Sequence, residues 1–90
     1  MEIREFQALI EKMYSAKDRQ RGPAGTFIWL IEEIGELASA IGEGHTKEEK
    51  AKEFADVFAW LCTLANITDV DLEKAIGKYT SDRVKGFKPK

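Results

Sequence analysis

Two pairs of acidic residues stand out in this sequence: Glu33 with Glu36, and Glu53 with Asp56. The members of each pair are three positions apart, so on an α-helix they share one side. Sixteen residues separate the two pairs. If two antiparallel helices brought the pairs together, the carboxylates would repel one another, and a hard divalent cation is the usual remedy. All-oxygen ligands favour Mg²⁺ or Mn²⁺ over zinc, and phosphates commonly fill the coordination positions that Mg²⁺ keeps open.

The first pair also has an ordinary explanation as part of a solvent-exposed helix face. Glu32, Glu33 and Glu36 lie on one arc about 100° wide, opposite an apolar face, as in any amphipathic helix. However, no Lys or Arg occurs between Pro23 and Thr46 to pair with them. Exposed faces usually mix charges, because like charges four positions apart repel. The residues alone leave both interpretations open.

The second pair lies at the border of an apolar stripe. On a helical projection, Glu53 and Asp56 border the stripe on one side, and Trp60 falls between them in angle, one turn later. The stripe comprises Phe54, Val57, Phe58, Leu61 and Leu64. Placing carboxylates at the edge of a core costs desolvation free energy unless they are paired or bound to a metal. This position makes a metal site as good an interpretation as a solvated helix face, and the residues alone do not decide between the two.

The elements that must carry these residues are helical. Hydrophobic periodicity and capping signals predict helices over about residues 2–15, 24–41, 46–65 and 70–79. A basic loop is expected over 15–23 and a basic tail over 81–90. Thr46 and Glu49 match a capping box. With no strand pattern, we expect one all-α domain over residues 1–90, a four-helix bundle-type subunit that oligomerises through helix packing because its own core is small.

Composition and charge narrow the classes of function. A single Cys and a single His exclude a disulfide framework and a His-rich or thiolate-rich metal site. Cys62 is expected to be a buried core thiol. No apolar run approaches about 18 residues, so we expect a cytoplasmic protein without a membrane partner. The net charge is −8 over residues 28–73 and +5 over 74–90. This asymmetry suggests a cation site with a phosphate-reading partner close to it, although on composition alone an unevenly charged surface is the simpler interpretation.

The two acidic pairs resemble the ExxE…ExxD signature of the all-α nucleoside triphosphate pyrophosphohydrolases (MazG-like). The segments around them, residues 30–37 and 53–57, are similar as well, and the resemblance runs from about residue 14 to 86. It implies a helical homodimer or homotetramer. It also implies Mg²⁺-dependent hydrolysis of a nucleoside triphosphate, (d)NTP, to the monophosphate and pyrophosphate.

The resemblance also assigns roles to individual residues. All four acids of the two pairs would ligate the metal, and Glu32 would help to hold it or orient a water. Lys78 and Arg83 resemble a Lys-x-x-x-Asn-Arg segment that meets the triphosphate, although Asp82 stands where Asn is expected and would repel phosphate. Trp60 occupies an aromatic position that lies at the nucleotide base in relatives.

Three other functions remain to be distinguished. A helical self-association or adaptor module with surface acids would show neither metal dependence nor turnover. Another metal-dependent phosphate hydrolase would release inorganic phosphate instead of pyrophosphate. A nucleic-acid binder would use the basic tail with Lys17, Arg19 and Arg21, but the acidic middle segment would repel a phosphate backbone, so we expect no nucleic-acid partner.

Overall fold

The computed structural model describes residues 1–80, and this part of the chain is helical without any strand. The helices are α1 (Ile3–Gly42), α2 (Lys47–Ile67), α3 (Leu72–Ala75) and α4 (Gly77–Thr80). The prediction of an all-α fold is confirmed for these residues. The predicted basic tail, residues 81–90, lies outside the described residues.

Helix α1 is broken at Gly22, whose φ of 81° and ψ of 172° belong to a region that only glycine adopts readily. Pro23 follows, and its fixed φ suits the first turn of a new helix. The break divides α1 into an N-terminal arm (residues 3–21) and a C-terminal arm (residues 23–42).

The predicted basic loop over residues 15–23 is wrong, because the N-terminal arm stays helical up to the break at Gly22. Lys, Arg and Gln are good helix formers, so the loss of apolar periodicity removed the signal without removing the helix. An ion pair between Arg21 and Asp18, one turn apart at 3.0 Å, supports this last turn.

Helix α2 begins as predicted. The Thr46 hydroxyl accepts from the Glu49 amide while the Glu49 carboxylate accepts from the Thr46 amide, which confirms the capping box. The helix ends at Ile67, two residues beyond the prediction. The predicted fourth helix is instead two single turns, α3 and α4, and the Asp71 side chain caps α3 by accepting from the Glu73 and Lys74 amides.

Both arms of α1 pack against α2, and a buried amide fixes the N-terminal arm. The Gln7 side chain donates to Asn66 Oδ1 at 3.0 Å and to the Val70 carbonyl at 2.7 Å, and it accepts from the Leu72 amide at 3.0 Å. Arg4 forms ion pairs with two acids at the start of α3. The end of α2 and the start of α3 are thereby attached to the first helix.

Much apolar surface remains open in the described part of the chain. Five apolar residues of 1–80 are buried: Ile10, Leu30, Ala40, Cys62 and Ala65. The expectation of a buried thiol at Cys62 is confirmed. The apolar side of the C-terminal arm lies largely in solvent instead of against α2, with exposed fractions between 43% and 53% at Phe27, Ile31, Ile34 and Ile41. Among residues 1–80, no helix has the length and apolar character that crossing a membrane requires.

Replacing Gly22 by Ala should destabilise the protein by roughly 1–3 kcal/mol, because a Cβ is strained at this φ and ψ even though no atom lies within 4 Å of it. The matched control is Gly42→Ala at the end of α1, where the backbone is not left-handed and space is also open. Urea unfolding of both variants measures the difference. Equal stabilities of the two variants would contradict the strain at the break.

Candidate metal centre and adjoining cavity

Three of the four predicted metal ligands come together where the C-terminal arm meets α2. Glu33 lies on the arm, and Glu53 and Asp56 lie one turn apart on α2. One carboxylate oxygen from each residue lies within 4.8 Å of the other two. The antiparallel contact of two helices therefore brings acids from both sequence pairs to one point that a single cation can reach.

Glu36 and Glu32 are placed differently. Both are exposed, and neither belongs to the group of three. Glu36 is nevertheless close enough for its charge to raise the pKa of Glu33. Glu36 thus borders the cluster, whereas Glu32 lies on the solvent side of the same helix.

Within residues 1–80, the carboxylates of this cluster lack cationic partners, and two of their oxygens lack hydrogen-bond donors. Glu33 Oε2 and Glu53 Oε2 are buried without a hydrogen-bond partner, and none of the three acids has an ion pair within residues 1–80. Burial, followed by the charges of Glu36, Asp56 and Glu53, raises the pKa of Glu33. Buried carboxylates without partners are unfavourable, so this all-oxygen donor set fits a hard divalent cation.

A cavity of about 390 Å³ adjoins the cluster and shares Asp56 with it. The volume is within the range of small-molecule sites. The lining includes Trp60 of α2 and five residues of the N-terminal arm: Ile10, Tyr14, Lys17, Asp18 and Arg21. A ligand that reaches the acidic cluster can therefore extend into a space with one aromatic and several charged walls.

Arg21 organises the wall of this cavity. Its Nη1 and Nη2 donate to Asp18 Oδ1 at 3.3 and 3.0 Å, and Nη1 also donates to Thr26 Oγ1 at 3.1 Å. The guanidinium lies 4.9 Å from the centroid of the Trp60 ring. Trp60 stacks on Trp29 with centroids 5.9 Å apart. Both arms and α2 are linked through this group.

The sequence does not predict that the N-terminal arm contributes to this wall, because residues 15–23 lack an apolar period and a loop is expected there. Lys17, Asp18 and Arg21 follow Tyr14 by three, four and seven positions, which is the spacing of one helix face. Continuing the first predicted helix to Gly22 would have aligned them. The spacing of these residues indicates a shared helix face, but the segment lacks the apolar periodicity that usually predicts a helix.

The residues predicted to contact the nucleotide fall in different places. Trp60 lies in the cavity wall beside Asp56. Lys78 is exposed on α4, with its Nζ 5.1 Å from the centroid of the Tyr79 ring. Arg83 and Asp82 lie outside the described residues.

In metal-free buffer near neutral pH, Glu33→Gln should raise the melting temperature. The raised pKa of Glu33 means that the folded protein favours the neutral form. Ionisation of Glu33 therefore lowers the stability of the folded protein. This stability falls as the pH rises from the ordinary pKa of a Glu side chain in the unfolded chain through the raised pKa in the folded protein. Melting curves in a chelator from about pH 4 to about pH 8 should show the advantage growing with pH.

Glu48→Gln is the matched control, because Glu48 is an exposed acid in the first turn of the same helix that supplies Glu53 and Asp56. It should not reproduce the pH-dependent gain. A Glu33→Gln protein that melts no higher than wild type at neutral pH would show that the cluster does not oppose folding.

A comparison with known families agrees with this geometry. The model of the MazG nucleotide pyrophosphohydrolase domain matches residues 21–82, well over half of the chain. The matched segment contains the C-terminal arm, all of α2 and every acid of the two pairs, while most of the N-terminal arm precedes it. No curated protein matches the chain. Because the family model covers both helices that build the acidic cluster, the chain belongs to the MazG nucleotide pyrophosphohydrolase family.

Proposed function

We propose that the protein is a Mg²⁺-dependent pyrophosphohydrolase that converts a (d)NTP to the monophosphate and pyrophosphate. Membership of the family indicates nucleotide pyrophosphohydrolase activity, which is hydrolysis of an acid anhydride. The observation that carries the finer proposal is that Asp56 belongs both to the carboxylate cluster and to the cavity wall. Phosphates at the cluster and the remainder of a nucleotide in the cavity would be adjacent.

In this proposal the metal ligands are Glu33, Glu53 and Asp56, and Glu36 completes the set by turning its exposed side chain inward. Mg²⁺ held there, or Mn²⁺ in its place, would neutralise phosphate oxygens and lower the pKa of a bound water. Glu32, which precedes Glu33 in the chain and is exposed, would have to turn its side chain toward the cluster to orient the attacking water.

The remaining phosphate charge needs cations. Lys78 and Arg83 are proposed to hold the triphosphate, since Lys and Arg both bind phosphate and Arg does so bidentately. Lys17, on the rim of the cavity, is a further cation within the described residues. Trp60 is proposed to contact the base through its ring.

The test of the reaction is product analysis on a panel of triphosphates with Mg²⁺. Pyrophosphate and a nucleoside monophosphate should appear together. Release of inorganic phosphate alone would place the attack at the terminal phosphorus and contradict the proposed bond cleavage. The absence of any turnover or metal dependence would favour the adaptor module.

Asp56→Asn should lower kcat/KM by about 10²–10⁴, because one preorganised anionic group is removed while the shape is kept. The control Glu48→Gln, which removes an exposed acid from the same helix, should retain activity. Melting curves with and without Mg²⁺ report folding and metal binding independently of turnover. An Asp56→Asn enzyme with normal activity and normal Mg²⁺ dependence would take this residue out of the site.

We further propose that a second copy of the chain covers the open apolar surface, giving a homodimer or homotetramer. Exposed apolar residues follow the C-terminal arm at Phe27, Ile31, Ile34 and Ile41 and follow α2 at Phe54, Phe58 and Leu61. Stripes spaced three or four residues apart are typical of helix-packing faces. Monomeric proteins rarely expose an apolar area of this extent.

Phe27→Lys should shift the assembly toward a lighter species, because a charge in an apolar helix interface is left without a partner. Gln20→Lys adds the same charge at an exposed position of the N-terminal arm and should leave the assembly unchanged. Sedimentation velocity at low micromolar concentration distinguishes the outcomes. A wild-type protein that sediments as a monomer would contradict oligomerisation.

A further inference from the structure

We propose that the cavity selects nucleobases that carry an exocyclic amino group, and that Asp18 is the residue that recognises this group. The inference rests on the proposed nucleotide hydrolysis and names its substrate class. Asp18 lies on the N-terminal arm, before the segment that the family model matches. The selectivity would therefore belong to a part of the chain that the family assignment does not describe.

The hydrogen bonding of Asp18 is incomplete. The residue is only 3% exposed. Its Oδ1 accepts both hydrogen bonds from Arg21, whereas its Oδ2 is buried and has no partner. A buried carboxylate oxygen without a donor is uncommon because its desolvation is uncompensated. A donor supplied by a ligand in the adjacent cavity would complete the pairing.

The surroundings of Asp18 point to an N–H donor on a flat aromatic ligand. Asp18 is absent from the group of acids in residues 1–80 that could hold a metal, and Arg21 already balances its charge. The same cavity presents the indole of Trp60 and the phenol ring of Tyr14, which favour stacking with a planar ring. A nucleobase with an amino group on its edge combines both features.

The free oxygen can distinguish bases by their edge. Cytosine and adenine carry an amino donor where uracil and hypoxanthine carry a carbonyl acceptor. A carbonyl placed against Asp18 Oδ2 would meet another acceptor and leave the carboxylate oxygen unpaired. Sites built around a buried hydrogen bond reject analogues that lack the required group far more strongly than apolar pockets reject a change of size.

Two matched substrate pairs test the inference: dCTP against dUTP, and dATP against dITP. The members of each pair differ only at the base edge, where an amino group beside an unprotonated ring nitrogen is replaced by a carbonyl beside a ring N–H, so the cluster and the triphosphate contacts remain the same. We expect kcat/KM to favour the amino member of each pair by at least about tenfold. Equal kcat/KM within both pairs would overturn the inference and leave the pyrophosphohydrolase proposal intact.

Asp18→Asn provides the second measurement. The amide can still offer its oxygen to Arg21 while presenting an NH₂ donor in place of Oδ2. The preference should therefore reverse, with dUTP and dITP gaining relative to dCTP and dATP. The control Glu48→Gln should keep the wild-type ratios. Unchanged ratios in a folded Asp18→Asn protein would overturn the role of Asp18, and if the variant does not fold, the wild-type ratios decide.

A binding measurement separates this inference from the proposed reaction. Quenching of tryptophan fluorescence by dCMP and dUMP, in metal-free buffer, reports occupancy beside Trp60 and Trp29 without any turnover. Tighter binding of dCMP with no hydrolysis of any triphosphate would support the base site and overturn the pyrophosphohydrolase proposal. Equal binding of both monophosphates would count against the base site.

Discussion

Mutual repulsion among carboxylates at the contact between the C-terminal arm and α2 is the constraint on which the rest of this structure depends. Glu33, Glu53 and Asp56 present oxygens within 4.8 Å of one another at the contact that also holds the two helices together. The apolar residues buried in residues 1–80 are few and mostly small, so little hydrophobic burial is available to offset the repulsion. A site of this kind couples cation binding to folding, because the ion would stabilise the folded state alone.

The break at Gly22 decides what lies beside that cluster. It lets one long helical segment contribute two arms to the same partner helix, so that Arg21 can reach Thr26 across the break and approach Trp60. Gly25 contributes as well, because a Cβ there would lie 2.8 Å from Arg21 Cγ. Two glycines three positions apart, Gly22 and Gly25, thus permit the close packing that forms the cavity.

The C-terminal arm inverts the usual arrangement of an amphipathic helix. Its acidic side, through Glu33, faces α2, while much of its apolar side faces solvent in the single chain. This arrangement is consistent with two different partners, a cation for the acidic side and a second copy of the chain for the apolar side. If both proposals hold, catalytic chemistry and assembly would use opposite sides of one helix.

The local pattern of the sequence predicts the all-α class, the start of α2 at its capping box and the three acids of the cluster among four candidates, because capping and the i, i+3 relation are local properties of a helix. It failed over residues 15–21, where charged helix formers gave no apolar period. Tertiary structure alone decided which side of the C-terminal arm turns inward, since that depends on the competition between burial and repulsion at a partner helix. It also decided that Asp18 and Trp60, forty-two positions apart, share one cavity, since no local pattern encodes a contact between distant helices.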